Sequence, residues 1–155
     1  MAASLKRVCW DACSWIAVIQ RERIYSAGGK LIEDRYAMCR SVLDLAGKGE
    51  IEIVVSGLCL VEVNRPSPSA AKDQIVAFFD NDYILIVPVD QQVGKKARDI
   101  MFAASLRLKS PDAIHLATAL VANVDELQTF DDRLLKQDGK HMKLDGTILK
   151  ICKPS

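Results

Sequence analysis

Ser110-Pro111-Asp112-Ala113-Ile114-His115-Leu116-Ala117-Thr118-Ala119-Leu120 is the stretch from which the fold reads outward. Ser110 suits an N-cap and Pro111 the first helical position, where a missing N–H costs nothing. Asp112 then falls in the first turn, where unpaired backbone N–H groups and the helix dipole favour a negative charge. Beyond it the residues are apolar on almost every side, which predicts a buried helix. A carboxylate at the mouth of a core helix is well placed to hold something.

The flanking sequence supplies the layers such a helix needs. Upstream, Asp90 caps a helix predicted to reach Leu106, with Val93, Ala97, Ile100, Met101, Ala104 and Leu108 as its stripe. Tyr83 to Val89 reads as the apolar strand before it. Downstream, Val124 to Phe130 reads as a strand, Asp131-Asp132 opens a short helix through Leu135, and Ile148 to Ile151 is a last strand. Towards the N-terminus, Leu5 to Trp10 reads as a strand ending at Asp11. Helical residues follow through Trp15, Ile16, Val18 and Ile19, ending near Gly28-Gly29, and a second helix is predicted from Leu31 to Ala46. Ile51 to Val55 is a β-rich run, and Ser56 caps a helix from Leu58 to Asn64 that carries Glu62. Pro66 and Pro68 punctuate the connection to a helix from Ala70 to Phe79.

Strands alternating with helices predict an α/β sandwich with a mostly parallel sheet. Ligands of such sheets bind beyond the C-terminal strand ends, where the strand order reverses. Asp11 and Asp131 lie at predicted strand ends, Asp112 at a helix start, and Glu62 in a helix just after a strand. All four could face one edge of the sheet.

Size and composition bound the alternatives. The 155 residues predict one domain over 1–155, long enough to bury a core without disulfides. Half of the residues are hydrophobic and 26% are charged, as in ordinary globular proteins. No basic and apolar leader pattern opens the sequence, and no apolar run approaches the ~20 residues of a membrane span, so a cytoplasmic location is expected. The five cysteines include no Cys-x-x-Cys pair and read as reduced thiols rather than a zinc site. Gly28-Gly29-Lys30 fails as a phosphate loop because Ile24 and Leu31 stand where Gly and Ser or Thr are needed. Asp80-Asn81-Asp82 lacks the later calcium ligands and reads as a turn. The formal charge of +1 leaves no broadly basic arm, so nucleic acid must be met by a local patch or through a bridging metal.

Carboxylates gathered together repel, and a cluster stays ionised only where a cation offsets the charge. Oxygen ligands favour Mg²⁺ or Mn²⁺, which keep several waters and bind through a few carboxylates plus substrate phosphate. Such ions activate water and neutralise charge as a phosphodiester is displaced in line. The plain alternatives are an N-cap role for Asp131 and an ion pair between Glu62 and a nearby Arg.

Four segments of the sequence resemble, in order, the acidic motifs of the PIN domain family. They are Trp10-Asp11-Ala12-Cys13-Ser14-Trp15-Ile16-Ala17, Val61-Glu62-Val63, Pro111 to Ala119, and Thr129-Phe130-Asp131. The likeness spans almost the whole chain. It implies a five-stranded parallel sheet flanked by helices and a metal-dependent ribonuclease using Mg²⁺ or Mn²⁺. Within the family, a chain of this size looks most like the VapC toxins of toxin–antitoxin pairs, which implies RNA as substrate, a VapB-type antitoxin as partner and a homodimer. Asp11, Glu62, Asp112 and Asp131 match the family's acids, and Ser14 and Thr129 its small hydroxyl positions. The first motif often carries a hydroxyl one or two places after the Asp, where this chain has Ala12 and Cys13. Asp132 offers a second carboxylate beside Asp131.

His115 reads as a packed core residue, since a divalent ion already activates water without a separate base. Lys95, Lys96, Arg98, Arg107 and Lys109 could steer phosphate or simply form a solvated face, and Arg65 is a further candidate substrate contact. Two other functions stay open: a nuclease of RNA maturation or DNA processing, and a PIN-like module that binds RNA or protein without cutting. The presence of all four acids weighs against the second.

Overall fold

A computed structural model of the chain describes residues 4–63, 72–103 and 107–155. Among these residues five strands form one parallel sheet in the order β5-β4-β1-β6-β7. The strands are β1 (Lys6–Trp10), β4 (Ile51–Ser56), β5 (Ile84–Val87), β6 (Glu126–Gln128) and β7 (Lys150–Cys152). The chain starts in the middle strand, builds outward through β4 and β5, then returns to the other side of β1 for β6 and β7. The order therefore reverses beside β1, the place where open α/β sheets form their ligand crevice.

Alternation along the strands explains why both faces are covered. Val8 and Trp10 of β1, with Ile51, Ile53 and Val55 of β4, point into one core. Helices α1 (Ala12–Ile19), α2 (Arg35–Gly47) and α4 (Lys72–Phe79) close that core with Trp15, Val18, Val42, Ile75 and Phe79. Cys9 of β1 and Val54 of β4 point the other way, against α5 (Gln91–Phe102) and α6 (Ser110–Val121) through Val93, Ala97, Ile100, Leu116 and Leu120. A sheet buried on both faces suits the continuous apolar runs of β1 and β4. The result is the expected three-layer PIN-like sandwich. No helix among the described residues is long and apolar enough to cross a membrane.

The structure departs from the sequence reading between residues 20 and 34. Helix α1 stops at Ile19, and Arg21 turns the chain with φ 51°. Ile24–Tyr25 (β2) and Leu31–Glu33 (β3) then pair as a small antiparallel hairpin whose turn holds Gly29 at φ 80°. Leu31 is thus not the start of the second helix. Asp34 caps that helix instead, accepting from the backbone N–H of Ala37 at 2.9 Å. The cap of α6 is also one place earlier than expected: Lys109 has the extended backbone of a cap, with Ser110 and Pro111 already helical. In α5, Val93, Ala97 and Ile100 are buried as the stripe requires, but Met101 is exposed and the helix ends before Leu108. Asn64, Arg65, Pro66, Pro68, Ala70, Ala104 and Leu106 lie outside the described residues.

Candidate active site

Each of the expected acids is set by the end of an element. Asp11 directly follows β1 and caps α1, accepting at Oδ1 from the N–H of Ser14 at 3.4 Å. Glu62 is the last residue of the short helix α3 (Cys59–Glu62), whose entry is tied by the N–H of Leu58 donating to Oγ of Ser56. Asp112 stands in the first turn of α6, where Oδ2 accepts from the N–H of Lys109 at 3.4 Å. Asp131 caps α7 (Asp132–Leu135), accepting from the N–H groups of Arg133 and Leu134. The N-cap role expected as the plain alternative for Asp131 is therefore real. It coexists with a place at the cleft.

These four carboxylates line one cavity of about 480 Å³, together with Ala12, Cys13, Ile16 and His115. The cavity sits where β1 ends and the strand order reverses. Asp11 is 4% exposed and its two oxygens are both engaged. Oδ2 accepts from the hydroxyl of Thr129 at 2.6 Å, and Oδ1 from the thiol of Cys13 at 2.9 Å. Thr129 Oγ1 in turn accepts from the N–H of Asp131 at 3.0 Å, so one hydroxyl ties two acids. Ser14 is fully buried and donates to the carbonyl of Gln128 at 3.1 Å, with Asp11 Oδ1 3.4 Å away. Its place is behind Asp11 rather than in the cavity. Cys13 stands where the first motif often carries a hydroxyl, and here its thiol donates to Asp11.

Among the described residues Glu62 pairs with no arginine. Its Oε2 lies 2.9 Å from Nε2 of His115, which is buried as the sequence reading required and yet borders the cavity. The apolar setting of His115 hid this partnership, because Glu62 approaches from a helix more than fifty residues earlier. Asp132 is exposed and does not line the cavity. Lys95 and Lys96 line a different cavity, with Met142 and Leu144. Arg98 is paired at the surface with Asp99.

Burial raises the carboxyl of Asp112 above the usual range, and the charge of Asp131 raises it further, while Lys109 and Arg133 pull it down. Burial leads, and a like charge in the same cleft adds to it. Among the described residues no three His, Cys, Asp or Glu side chains form a ready-made metal cage. Oxygens remain open instead: among the described residues, donors reach only Oε2 of Glu62, Oδ2 of Asp112 and Oδ1 of Asp131. An all-oxygen set with open positions fits a hard cation that keeps part of its water shell.

Comparison with known proteins follows the geometry. The family model described as "PIN domain" matches residues 8–140. Among solved structures, the chain is similar to VapC20 of Mycobacterium tuberculosis, a sarcin-ricin loop cleaving toxin. The TM-score is 0.59 at 16% identity, over 81% of this chain and 90% of that one. It is also similar to a chain from a toxin–antitoxin complex of Klebsiella pneumoniae, with TM-score 0.55 at 18% identity, over 80% and 86% of the two chains. No match is found among curated proteins.

Proposed function

The chain belongs to the PIN domain family, and from that premise we propose that it is an endoribonuclease, working as one PIN-like domain in the manner of a VapC toxin. The observation that carries this reading is the meeting of Asp11, Glu62, Asp112 and Asp131 in one cavity at the reversal of the sheet. Asp112, Asp131 and Glu62 would hold Mg²⁺ or Mn²⁺ through their open oxygens or through water, and Asp11 through the second lone pair of Oδ2. Bound there, the ion would activate water and neutralise charge on the phosphodiester as it is displaced. Asp11 is the most firmly oriented of the acids, held by Thr129, Cys13 and Ser14. His115 orients Glu62, and Thr129 sets Asp131 relative to Asp11.

The fold likeness to VapC20 and to the Klebsiella chain supports a VapB-type antitoxin as partner and RNA as substrate. A homodimer and a cytoplasmic site of action belong to the same proposal. The direct test is Asp112→Asn. The purified wild-type chain is expected to cut RNA with Mg²⁺ or Mn²⁺ and to stop when EDTA is added, while the variant keeps its circular dichroism and cuts nothing. Full activity in the variant overturns the assignment.

A further inference from the structure

Next to the acidic cleft lies a second cavity of about 290 Å³, lined by Arg107, Leu108, Arg133, Lys136, Gln137 and Lys140. Four of these six side chains are cationic and none is acidic. The two cavities adjoin through one contact: Nη1 of Arg133 lies 3.8 Å from Oδ2 of Asp112, which lines the acidic cleft. Leu108 and Gln137 are buried, so the cations stand over a packed base rather than a mobile surface. Gln137 accepts at Oε1 from His141 at 3.2 Å, which leaves its amide N–H groups without an acceptor among the described residues. Arg107, Lys136 and Lys140 likewise meet no carboxylate there.

Of the four cations only Arg133 has a carboxylate beside it, and the other three, gathered without one among the described residues, repel at a cost that an anion would relieve. The donors present match phosphate oxygens: arginine forks, lysine point charges and a neutral amide. The other basic cavity, at Lys95 and Lys96, also holds Asp99 and opens onto Met142 and Leu144, so it lacks this character. With a formal charge of only +1, the chain has no general field to hold RNA and needs local contacts of this kind. We propose that this cavity binds a phosphate of the RNA strand neighbouring the one at the acids, so that Arg133 stands between a bound phosphate and a metal-binding carboxylate. The proposal rests on the nuclease reading of the acidic cleft for its choice of RNA.

The test is equilibrium binding of a fluorescent single-stranded RNA oligonucleotide to the full chain in EDTA, where cleavage and metal play no part. Lys136→Ala with Lys140→Ala should weaken binding by about tenfold or more at low salt. It should also lower the slope of log affinity against log salt by about 0.7, the share of one phosphate on a single strand. Lys136→Arg with Lys140→Arg should keep the wild-type slope, as should Lys48→Ala at the opposite end of the sheet. An unchanged slope and affinity in the alanine pair overturns the proposal, as does a wild-type chain that fails to bind RNA. Cleavage is scored separately with Mg²⁺ or Mn²⁺. RNA that binds through the cavity but stays intact leaves the phosphate site standing and removes the nuclease reading.

Discussion

Nε2 of His115 lies 2.9 Å from Oε2 of Glu62, which joins the core of α6 to the end of α3 at the edge of the acidic cleft. Nδ1 of the same ring is buried with no hydrogen-bond partner among the described residues, so the bond to Glu62 orients both side chains. His115→Ala leaves a void in the core and an unpaired carboxylate, and should cost about 2–4 kcal/mol in urea unfolding. His115→Gln, which keeps a donor near the same place, should recover part of that loss. Equal stability of wild type and the alanine variant would show that the contact holds nothing together.

Thr129 has the opposite geometry, one hydroxyl serving two acids. Thr129→Val keeps the shape and removes both bonds. Partners of this kind are worth roughly 10–100-fold in metal affinity, so Mn²⁺ binding by calorimetry should weaken by about that factor while the fold persists. Thr129→Ser should restore it. If valine binds Mn²⁺ as well as threonine does, the hydroxyl has no positioning role.

Acid stability should depend on Glu126, which does not line the cleft. Burial works to raise its carboxyl, but hydrogen bonds from Gln128, Lys150 and Lys6 outweigh it and hold the group down at about 2. A carboxyl lowered in the folded state stabilises above its unfolded value and loses that contribution as pH falls through the folded one. The loss should therefore fall between about pH 4.5 and pH 2. Glu126→Gln is expected to cost roughly 2 kcal/mol near pH 7 and to flatten the acid limb of urea stability. A variant whose acid limb matches wild type places the titration elsewhere.

Asp112 carries the reverse sign. Burial, then the charge of Asp131, raise its carboxyl, so its contribution is full below the unfolded value and is lost as pH rises. In EDTA at neutral pH, Asp112→Asn should melt at or slightly above the wild-type temperature. Mn²⁺ at about a hundred times its Kd should stabilise wild type by about 2.7 kcal/mol, a Tm rise of several degrees, and leave the variant unmoved. An equal response in both proteins rules Asp112 out as a ligand.

Legibility in the sequence followed the length of the pattern. Helix α6 and strands β1 and β4 carry runs long enough to declare themselves, and all four acids fall at element ends that the motifs already mark. The β2–β3 hairpin leaves no trace in the sequence pattern because strands of two and three residues have no period, and Leu31-Ile32 passes for a helical stripe. Gly28-Gly29, where the helical pattern is expected to end, forms the turn of that hairpin. The His115 partnership and the cationic cavity were hidden for another reason. Arg133, Lys136 and Lys140 look like surface charge on a short helix and its exit, and only the tertiary fold sets them beside Arg107.

Strand β1 is paired on both sides by strands that lie at least forty residues further along the chain, and Asp11 comes directly after it. The pairing with β6 must close a loop of more than a hundred residues before Thr129 can reach Asp11. Closing such a span is entropically costly and slows folding. During synthesis Asp11 leaves the ribosome long before the residues that complete its surroundings. Under the proposed function a half-made chain would therefore lack its assembled cleft, and hydrolysis would wait until the residues through Asp131 had emerged and folded.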